Sequence, residues 1–426
     1  MIGAGVFLSA GFMAQDMGPG PIMLAWVVGA VLALSGTVAY AEVARLVPRS
    51  GGEYRYLSEL LHPSVGYLAG WASLLVGFSA PLAVDALAVG AFTRTLFPGF
   101  DARVVGTGFV VLLTAFHVIG LRTSARAQNL LILLKVTLLV GFVALGLLKG
   151  SAAWPTWTPP SGGGDGFPLQ PFVGSLFYIA FAFSGWNAAI YAAEEFEAPE
   201  RTVPRAMLIG CGLVAALYLV VNWIFVANLT PLQATAIFSY DAAVSGQAAN
   251  PVTLGHLIVQ ALTGQGWARL MAVATVVVFL SAMSALIFVG PRIYAAMARD
   301  GFLPRVLAGK EGRPPVGSVV LQSAFALVIL FTHQLQQVLQ NVGAILVLFA
   351  ALTVMGLFRV RFGRNDPPRP STLSLVAAAI YVLSAAYMLY FGFRGKTQLL
   401  GWMVVILLVA LGAYAVTLAA RRSRRG

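Results

Sequence analysis

The chain has 426 residues, of which 59% are hydrophobic and only 10% are charged, and its mean hydropathy is +0.85. A soluble domain averages about 45–50% apolar and about 25% charged residues. Folding cannot hide this much apolar surface from water, so the composition excludes a soluble enzyme and a disordered chain. The net charge of +12 fits either a nucleic-acid partner or basic residues gathered on one side of a membrane. Cys211 is the single cysteine, which excludes a disulfide framework or a Cys-based metal site within the chain.

Long apolar runs predict an all-α polytopic membrane protein. A helix needs about 20 apolar residues to cross the bilayer core, and these runs are continuous, whereas the strands of a β-barrel alternate. We predict a short first span followed by eleven full ones, at about 1–15, 21–46, 64–90, 103–121, 128–148, 171–193, 206–228, 268–297, 316–333, 338–358, 373–393 and 398–420. A further apolar stretch at 252–263 is too short to span and predicts an external helix over the bundle. The first run is about half a crossing, which predicts a truncated first helix.

The basic residues predict the orientation. Twenty of the 27 Lys and Arg residues fall in or beside the segments 45–63, 122–127, 194–205, 298–315, 359–372 and 421–426, and six fall on the opposite side. Cytoplasmic loops carry such an excess. We therefore expect these segments, and the C-terminus with them, to be cytoplasmic in the cell (inner) membrane, and the charge no longer requires a nucleic-acid partner.

Two spans contain interruptions at equivalent places. Glycines cluster at Gly3-Ala4-Gly5 in the first span and within residues 181–187 in the sixth. Paired interruptions are typical of inverted-repeat transporters that bind substrate near the midplane, although glycine is also a common packing residue in membrane helices. A helix that starts near Gly5 would direct N–H groups at a carboxylate, and carbonyls near residues 182–184 would attract an ammonium group. Together they predict a site for a zwitterion such as an α-amino acid.

Several motifs, in this order and spacing, resemble one transporter superfamily. They are Ile2-Gly3-Ala4-Gly5-Val6-Phe7, Tyr40-Ala41-Glu42-Val43-Ala44, Pro48-Arg49-Ser50-Gly51-Gly52-Glu53-Tyr54, residues 181–187, Glu194-Glu195 with Pro199, Arg201 and Pro204-Arg205-Ala206, and Pro291 to Gly301. Over essentially its whole length the chain resembles the amino acid–polyamine–organocation (APC) superfamily, near its L-type and cationic amino acid transporter branches.

The resemblance implies one transmembrane domain over 1–426 with a 5+5 inverted-repeat, leucine-transporter-type fold. The first repeat would be 1–150, the second 168–361, and two additional helices would lie within 373–420. It implies a substrate carboxylate at Gly3, Ala4 and Gly5, where Ala4 replaces a serine frequent in the family. The other implied substrate-binding residues are Phe181, which would act as an aromatic gate, together with Ala182, Ser184 and Asn187.

Two ionisable side chains inside spans are candidates for coupling, because an intramembrane charge is costly without a function. The resemblance implies that the Lys135 ammonium takes the place of a sodium ion, near Gly3 and near Ser281 or Ser284 of the eighth span. The alternative is a lysine that snorkels to the cytoplasmic side. Asp85 is expected to face the bundle, where it would hold a proton, accept a cationic substrate group, or make a structural hydrogen bond.

These features predict a secondary active amino acid permease that works by alternating access, with proton coupling or exchange and without sodium. The alternatives are a permease for polyamines or other organic cations, and a sensor or channel on a transporter fold. We expect no enzymatic activity, no cofactor and no metal. The expected partners are a small-molecule amino acid and the lipid bilayer, without nucleic acid and without a disulfide-linked heavy chain. The sequence leaves the substrate side chain and the oligomeric state open.

Overall fold

The computed structural model describes residues 1–14, 16–97, 99–119, 121–156, 158, 166–230, 254–310, 313–333, 335–363 and 369–395, and 401–417 apart from 402, 403, 406 and 409. The regular elements of these residues are helical. The first half contains α1 (Ala4–Met13), α2 (Pro19–Leu46), α3 (Gly52–Leu60), α4 (Pro63–Ala72), a π-helical segment (Ser73–Ser79), α5 (Ala80–Leu96), α6 (Ala102–Ile119) and α7 (Leu121–Lys149). The second half contains α8 (Leu169–Phe183), a 3₁₀ segment (Ala188–Glu195), α9 (Pro199–Asn228), α10 (Leu254–Thr263), α11 (Gln265–Val289), α12 (Pro291–Arg299), a second 3₁₀ segment (Arg305–Leu307), α13 (Val316–Thr332), α14 (Leu335–Gly363) and α15 (Thr372–Gly395).

Nine of the eleven predicted full spans are confirmed as helices of membrane-spanning length, and the predicted span at 316–333 is a shorter helix of 17 residues. Nine helices or continuous helix pairs among the described residues are long and apolar enough to cross a membrane, and α1 and α13 are shorter apolar helices. The predicted helix near 252–263 is α10, which packs on α11, α1 and α9. The last predicted span, 398–420, is described only in part, and Arg364 and the basic run at 421–425 lie outside the described residues.

Proline sets the start of several helices. Pro19, Pro63, Pro199 and Pro291 are the first residues of α2, α4, α9 and α12. Proline suits this position because the first N–H groups of a helix have no partner within it. The long helices then pack pairwise, with α2 against α9, α11 against α5, and α14 against α8. This packing surrounds α1 and buries every one of its residues.

The interruption predicted in the sixth span is confirmed. Helix α8 ends at Phe183, and the chain continues as a 3₁₀ segment only from Ala188. Between them, Gly185 has a φ of +90°, a conformation that side chains with a Cβ rarely adopt. Glycine therefore allows the sharp change of direction that separates the two halves of this span.

A second irregularity, in the third span, was not predicted. The span runs from Pro63 to Leu96 through α4, the π-helical segment and α5. Its composition is ordinary for a membrane helix, so the apolar run at 64–90 gave no sign of the wider turns. Such π-helical insertions occur frequently at functional sites, and this one lies beside the cavity described below.

One end of the bundle, which we call the arginine-rich end, is held by contacts of arginine side chains. Arg55 pairs with Asp300 at 3.0 Å, and Arg292 pairs with Glu195 at 2.7 Å. Arg359 donates a hydrogen bond to the carbonyl of Leu61. These contacts join α3 and the 3₁₀ segment after α8 to elements more than 90 residues away in the chain.

Candidate functional site

The two interruptions meet at the centre of the bundle. A Cβ added to Gly5 in α1 would lie 2.5 Å from the Cα of Ala182 in α8. Only a glycine allows the backbones to approach this closely. The structure thus brings together the two glycine-containing segments that the sequence singled out, 177 positions apart.

Helix α1 begins at Ala4, after Gly3 in an extended conformation. The N–H of Ala4 donates a 3.1 Å hydrogen bond to Oδ1 of Asp85, which is buried in α5. The N–H groups of the next two residues, Gly5 and Val6, have no acceptor within the helix, because the first turn of any helix lacks them. The positive end of α1 therefore faces the site with one N–H occupied by Asp85 and others available for an anion.

The broken end of α8 supplies carbonyl oxygens to the same region. The carbonyl of Phe181 accepts from the N–H of Ser184 at 2.9 Å, and the carbonyl of Ala182 accepts from the hydroxyl of Tyr218 at 3.0 Å. A carbonyl oxygen has two lone pairs. Each of these oxygens can therefore accept a second hydrogen bond, for example from an ammonium group.

One cavity connects most of the predicted site residues. Its volume is about 150 Å³, counted as space for the centres of water molecules. This is about ten times the space that one water needs on that measure, so the cavity can hold a small organic molecule. The predicted residues that line it are Gly3, Ala4, Gly5, Asp85, Lys135, Phe181, Ser184 and Asn187. Ala182, Ser281 and Ser284, which are also described, are buried outside this lining.

Lys135 reaches the extended segment before α1. Its Nζ donates a 3.1 Å hydrogen bond to the carbonyl of Ile2, and the residue is 8% exposed. The side chain thus points into the bundle, which disfavours the snorkelling alternative. Lys135 and Asp85 hold adjacent parts of the same short segment, one through a carbonyl and the other through an N–H.

The contacts expected between Lys135 and the eighth span, α11, are not among the hydrogen bonds of these described residues. The hydroxyl of Ser284 lies 2.9 Å from Nε2 of His117, and the carbonyl of Ser281 accepts from the amide of Gln128 at 3.3 Å. The hydroxyl of Ser281 is buried and has no hydrogen-bond partner in the part of the chain that the structure describes. Lys135 is directed at α1 because the carbonyl of Ile2, at the open start of that helix, competes for its ammonium group.

The sequence did not single out several other residues of the cavity wall. The π-helical segment contributes Ser73, Gly77 and Phe78. Glu53 of α3 also lines the cavity, although it is only 7% exposed and lies outside the membrane-length helices. Burial raises the pKa of its carboxyl, while hydrogen bonds from neighbouring side chains oppose the rise. The only sequence signal for Glu53 was its place in one of the recognised motifs.

The geometry suits a molecule with a carboxylate and an ammonium group. Helix N–H groups from the start of α1 and carbonyl oxygens from the broken end of α8 lie at one cavity, and the remaining wall is largely apolar. Within the described part of the chain, there is no group of three His, Cys, Asp or Glu residues that could hold a metal ion.

Comparison with known proteins agrees with this geometry. The profile of the amino acid permease family matches residues 1–419. The large neutral amino acids transporter small subunit 2 of Rattus norvegicus is 27% identical over 427 residues, covering 97% of this chain and 77% of that protein. The Asc-type amino acid transporter 1 of Mus musculus is also 27% identical, covering 96% and 77%. The cystine/glutamate transporter of Homo sapiens is 25% identical, covering 97% and 81%. The chain therefore belongs to the amino acid permease family of the APC superfamily, and it is a multi-pass membrane transporter of amino acids and not an enzyme.

Proposed function

We propose that this permease carries neutral α-amino acids by alternating access, as a secondary active transporter. The observation that supports it best is the meeting of the open start of α1 with the broken end of α8 at one cavity. The substrate carboxylate would bind at Gly3, Ala4 and Gly5. Its ammonium group would bind the carbonyls of Phe181 and Ala182 beside Ser184 and Asn187, with Phe181 as the aromatic gate.

The wall around these polar groups favours a neutral substrate side chain. Apolar residues from four elements form most of it, including Ala72, Phe78, Leu286, Val289, Ile345 and Phe349. Burying a charged side chain there would be costly without a partner. The name of one relative specifies large neutral amino acids, and this chain resembles it across almost its entire length.

We assign coupling to Lys135 and Asp85, with a proton or a second amino acid, and not sodium, as the coupled solute. The ammonium of Lys135 holds the carbonyl of Ile2 at 3.1 Å, so a fixed cation already sits at the open start of α1. Breaking or remaking that hydrogen bond would move the carboxylate-binding end of the site.

Two other functions fit some of the same observations. A permease for polyamines or other organic cations would use the carboxyls of Glu53 and Asp85, which both line the cavity. A sensor or a channel would bind or pass the solute without concentrating it. Both make predictions for transport that differ from ours.

The orientation and cellular location are also proposals. The excess of basic residues supports an orientation with the arginine-rich end and the C-terminus in the cytoplasm, in the inner membrane of the cell. We expect no disulfide-linked heavy chain, because Cys211 is the single cysteine of the 426 residues and is buried in α9.

Uptake by proteoliposomes tests the proposal. The purified protein is first screened for thermal shifts with the twenty amino acids and putrescine, and the strongest ligand is then radiolabelled. We expect a neutral amino acid to accumulate above equilibrium under an imposed proton gradient, or after preloading with the same amino acid, with no effect of a sodium gradient. Stabilisation by putrescine alone would favour the polyamine reading, and uptake that never exceeds equilibrium and shows no exchange would contradict secondary transport.

A further inference from the structure

Glu53 connects the substrate cavity to the arginine-rich end of the bundle. It belongs to the short helix α3, yet it lines the candidate site, and it also lines a neighbouring cavity of about 60 Å³. Ser184, Gly185 and Asn187 line both cavities too. The residues shared by the two cavities are therefore the break in the sixth span, Leu346 of α14 and this one carboxyl group.

Three donors surround the Glu53 carboxyl group. Oε1 accepts from Nδ2 of Asn187 at 2.5 Å and from the hydroxyl of Tyr40 at 3.1 Å. Oε2 accepts from the hydroxyl of Tyr191 at 2.7 Å. The donors come from α2, from the break in the sixth span and from the 3₁₀ segment after it, so Glu53 joins α3 to all three.

These bonds fix the orientation of the Asn187 amide. An ionised carboxylate can only accept hydrogen bonds, so the nitrogen of the amide faces Glu53 when Glu53 is ionised. The same nitrogen lies 3.1 Å from the hydroxyl oxygen of Tyr191, which gives both of its hydrogens a partner. Oδ1 of Asn187 makes no hydrogen bond within the described residues, and Asn187 lines the substrate cavity. Asn187 therefore has a free acceptor, and no free donor, at the wall that the two cavities share.

We propose that Glu53 is a positioning residue of the substrate site, which holds the Asn187 amide so that its oxygen is available to a donor group of the substrate. The inference rests on the proposed function of the site and adds a residue to it. Glu53 acts through Asn187, without touching the substrate. It makes the polarity of the site depend on a carboxyl that lies in a different segment of the chain.

Exchanging the carboxyl group of Glu53 and the amide group of Asn187, singly and together, tests whether Glu53 positions the amide. In Glu53→Gln, the new amide offers both a donor and an acceptor, so the Asn187 amide can turn over and present a donor to the cavity. In Asn187→Asp, two carboxylates would lie where a 2.5 Å hydrogen bond was. In the double variant, the glutamine amide can donate to the aspartate, which keeps an acceptor oxygen in the cavity.

Uptake of L-leucine into proteoliposomes at pH 7.5 provides the measurement, with the amino acid of the largest thermal shift replacing leucine if leucine gives none. We expect Glu53→Gln to raise KM by about tenfold with less than a twofold change in maximal rate. We also expect uptake by the double variant to exceed uptake by Asn187→Asp about tenfold, since the interaction free energy of two residues in contact is of this order. Glu59→Gln is the matched control in α3, because Glu59 faces outward toward Arg49 at 3.5 Å, and it should leave KM unchanged. Gel filtration checks that each variant is folded.

The outcomes separate two kinds of failure. If the wild-type protein binds no amino acid in the thermal-shift screen, the proposed function fails whatever the variants do. If the wild type transports leucine but Glu53→Gln lowers only the maximal rate or the yield of folded protein, Glu53 has a structural role and the inference is overturned. Additive losses in the double variant would overturn it as well, because independent residues show no coupling.

Discussion

The substitution Gly5→Ala tests the close approach that forms the site. The added methyl carbon would lie 2.5 Å from the Cα, 2.9 Å from the Cβ and 3.0 Å from the nitrogen of Ala182. Carbon atoms pack at about 3.5–4.0 Å, so α1 and α8 would have to separate by about 1 Å. The obstructing atoms are mostly backbone, so no rotamer change of a side chain can relieve the clash.

The expected loss of substrate affinity in Gly5→Ala follows from the free-energy cost of overpacking. Inserting a methyl group into a well-packed region costs about 1–3 kcal/mol. A free-energy change of that size corresponds to about a fivefold to 150-fold change in affinity. Because the separation moves the N–H groups of α1 away from the carbonyls of α8, we expect much of the cost to appear as weaker substrate binding.

The assay compares substrate affinity in Gly5→Ala with that in Gly174→Ala. Gly174 lies in α8, the same helix as Ala182, and a Cβ added there meets nothing within 4 Å. Alanine is also the better helix former by about 1 kcal/mol, so this control should keep wild-type affinity and stability. A folded Gly5→Ala protein that binds its amino acid with an affinity within twofold of the wild type would refute the assignment of the site to this junction.

Three further predictions concern charged side chains. Lys135→Ala removes a charge-assisted hydrogen bond to Ile2, worth about 1.5–3 kcal/mol. It should abolish gradient-driven accumulation of the substrate while the protein remains in the membrane. Normal coupled uptake by this variant would contradict a coupling role for Lys135. Glu195→Gln breaks the ion pair with Arg292, and because the Glu195 side chain is 58% exposed, stability should change by less than about 1 kcal/mol. A cysteine placed at Ala188 in a Cys211→Ser background should nevertheless react faster with a thiol reagent added at the arginine-rich end; an unchanged rate would show that this pair does not hold the end closed. Burial raises the pKa of Glu53 above its ordinary value of 4.5, so its carboxyl binds a proton more tightly in the folded protein than in the unfolded chain. The Tm of the wild type relative to that of Glu53→Gln should therefore fall as the pH rises above 4.5. A Tm difference that is constant with pH would mean that the carboxyl has the same pKa in the folded and unfolded states.

The helices were predictable because each depends on a local property. A run of about 20 apolar residues has few alternatives to a membrane helix, and the predicted runs match the described helices to within a few residues at most ends. The break in the sixth span was predictable for a similar reason, since Ser184 and Gly185 interrupt an aromatic and aliphatic run. The π-helical segment was not, because its residues, Ser73–Ser79, do not differ in type from those of a regular membrane helix.

The parts of the site that depend on distant partners were predicted less well. Lys135 was expected near Gly3 and near Ser281 or Ser284, and in the structure it donates to the carbonyl of Ile2 beside Gly3. The hydroxyl of Ser284 pairs with His117 instead, in a helix, α11, that packs against α5 and α7. Glu53 was passed over because its significance comes from Asn187 and Tyr191, which lie more than 130 positions further along the chain. A single sequence shows which residues could bond, whereas the packing of the helices decides which of them meet.

The charges around the start of α1 favour a substrate without net charge. Asp85 takes the N–H of Ala4, and Lys135 takes the carbonyl of Ile2, each at 3.1 Å. When both are ionised, the two side chains carry opposite charges on the same short segment and balance each other before any substrate enters. In the proposed site, the N–H groups that remain at the helix start and the carbonyls of Phe181 and Ala182 would face a carboxylate and an ammonium that also cancel. An additional charge on the substrate side chain would have to be stabilised by the apolar part of the wall, where burial of an unpaired charge is unfavourable. Neutral amino acids should therefore bind more tightly than acidic or basic ones of similar size.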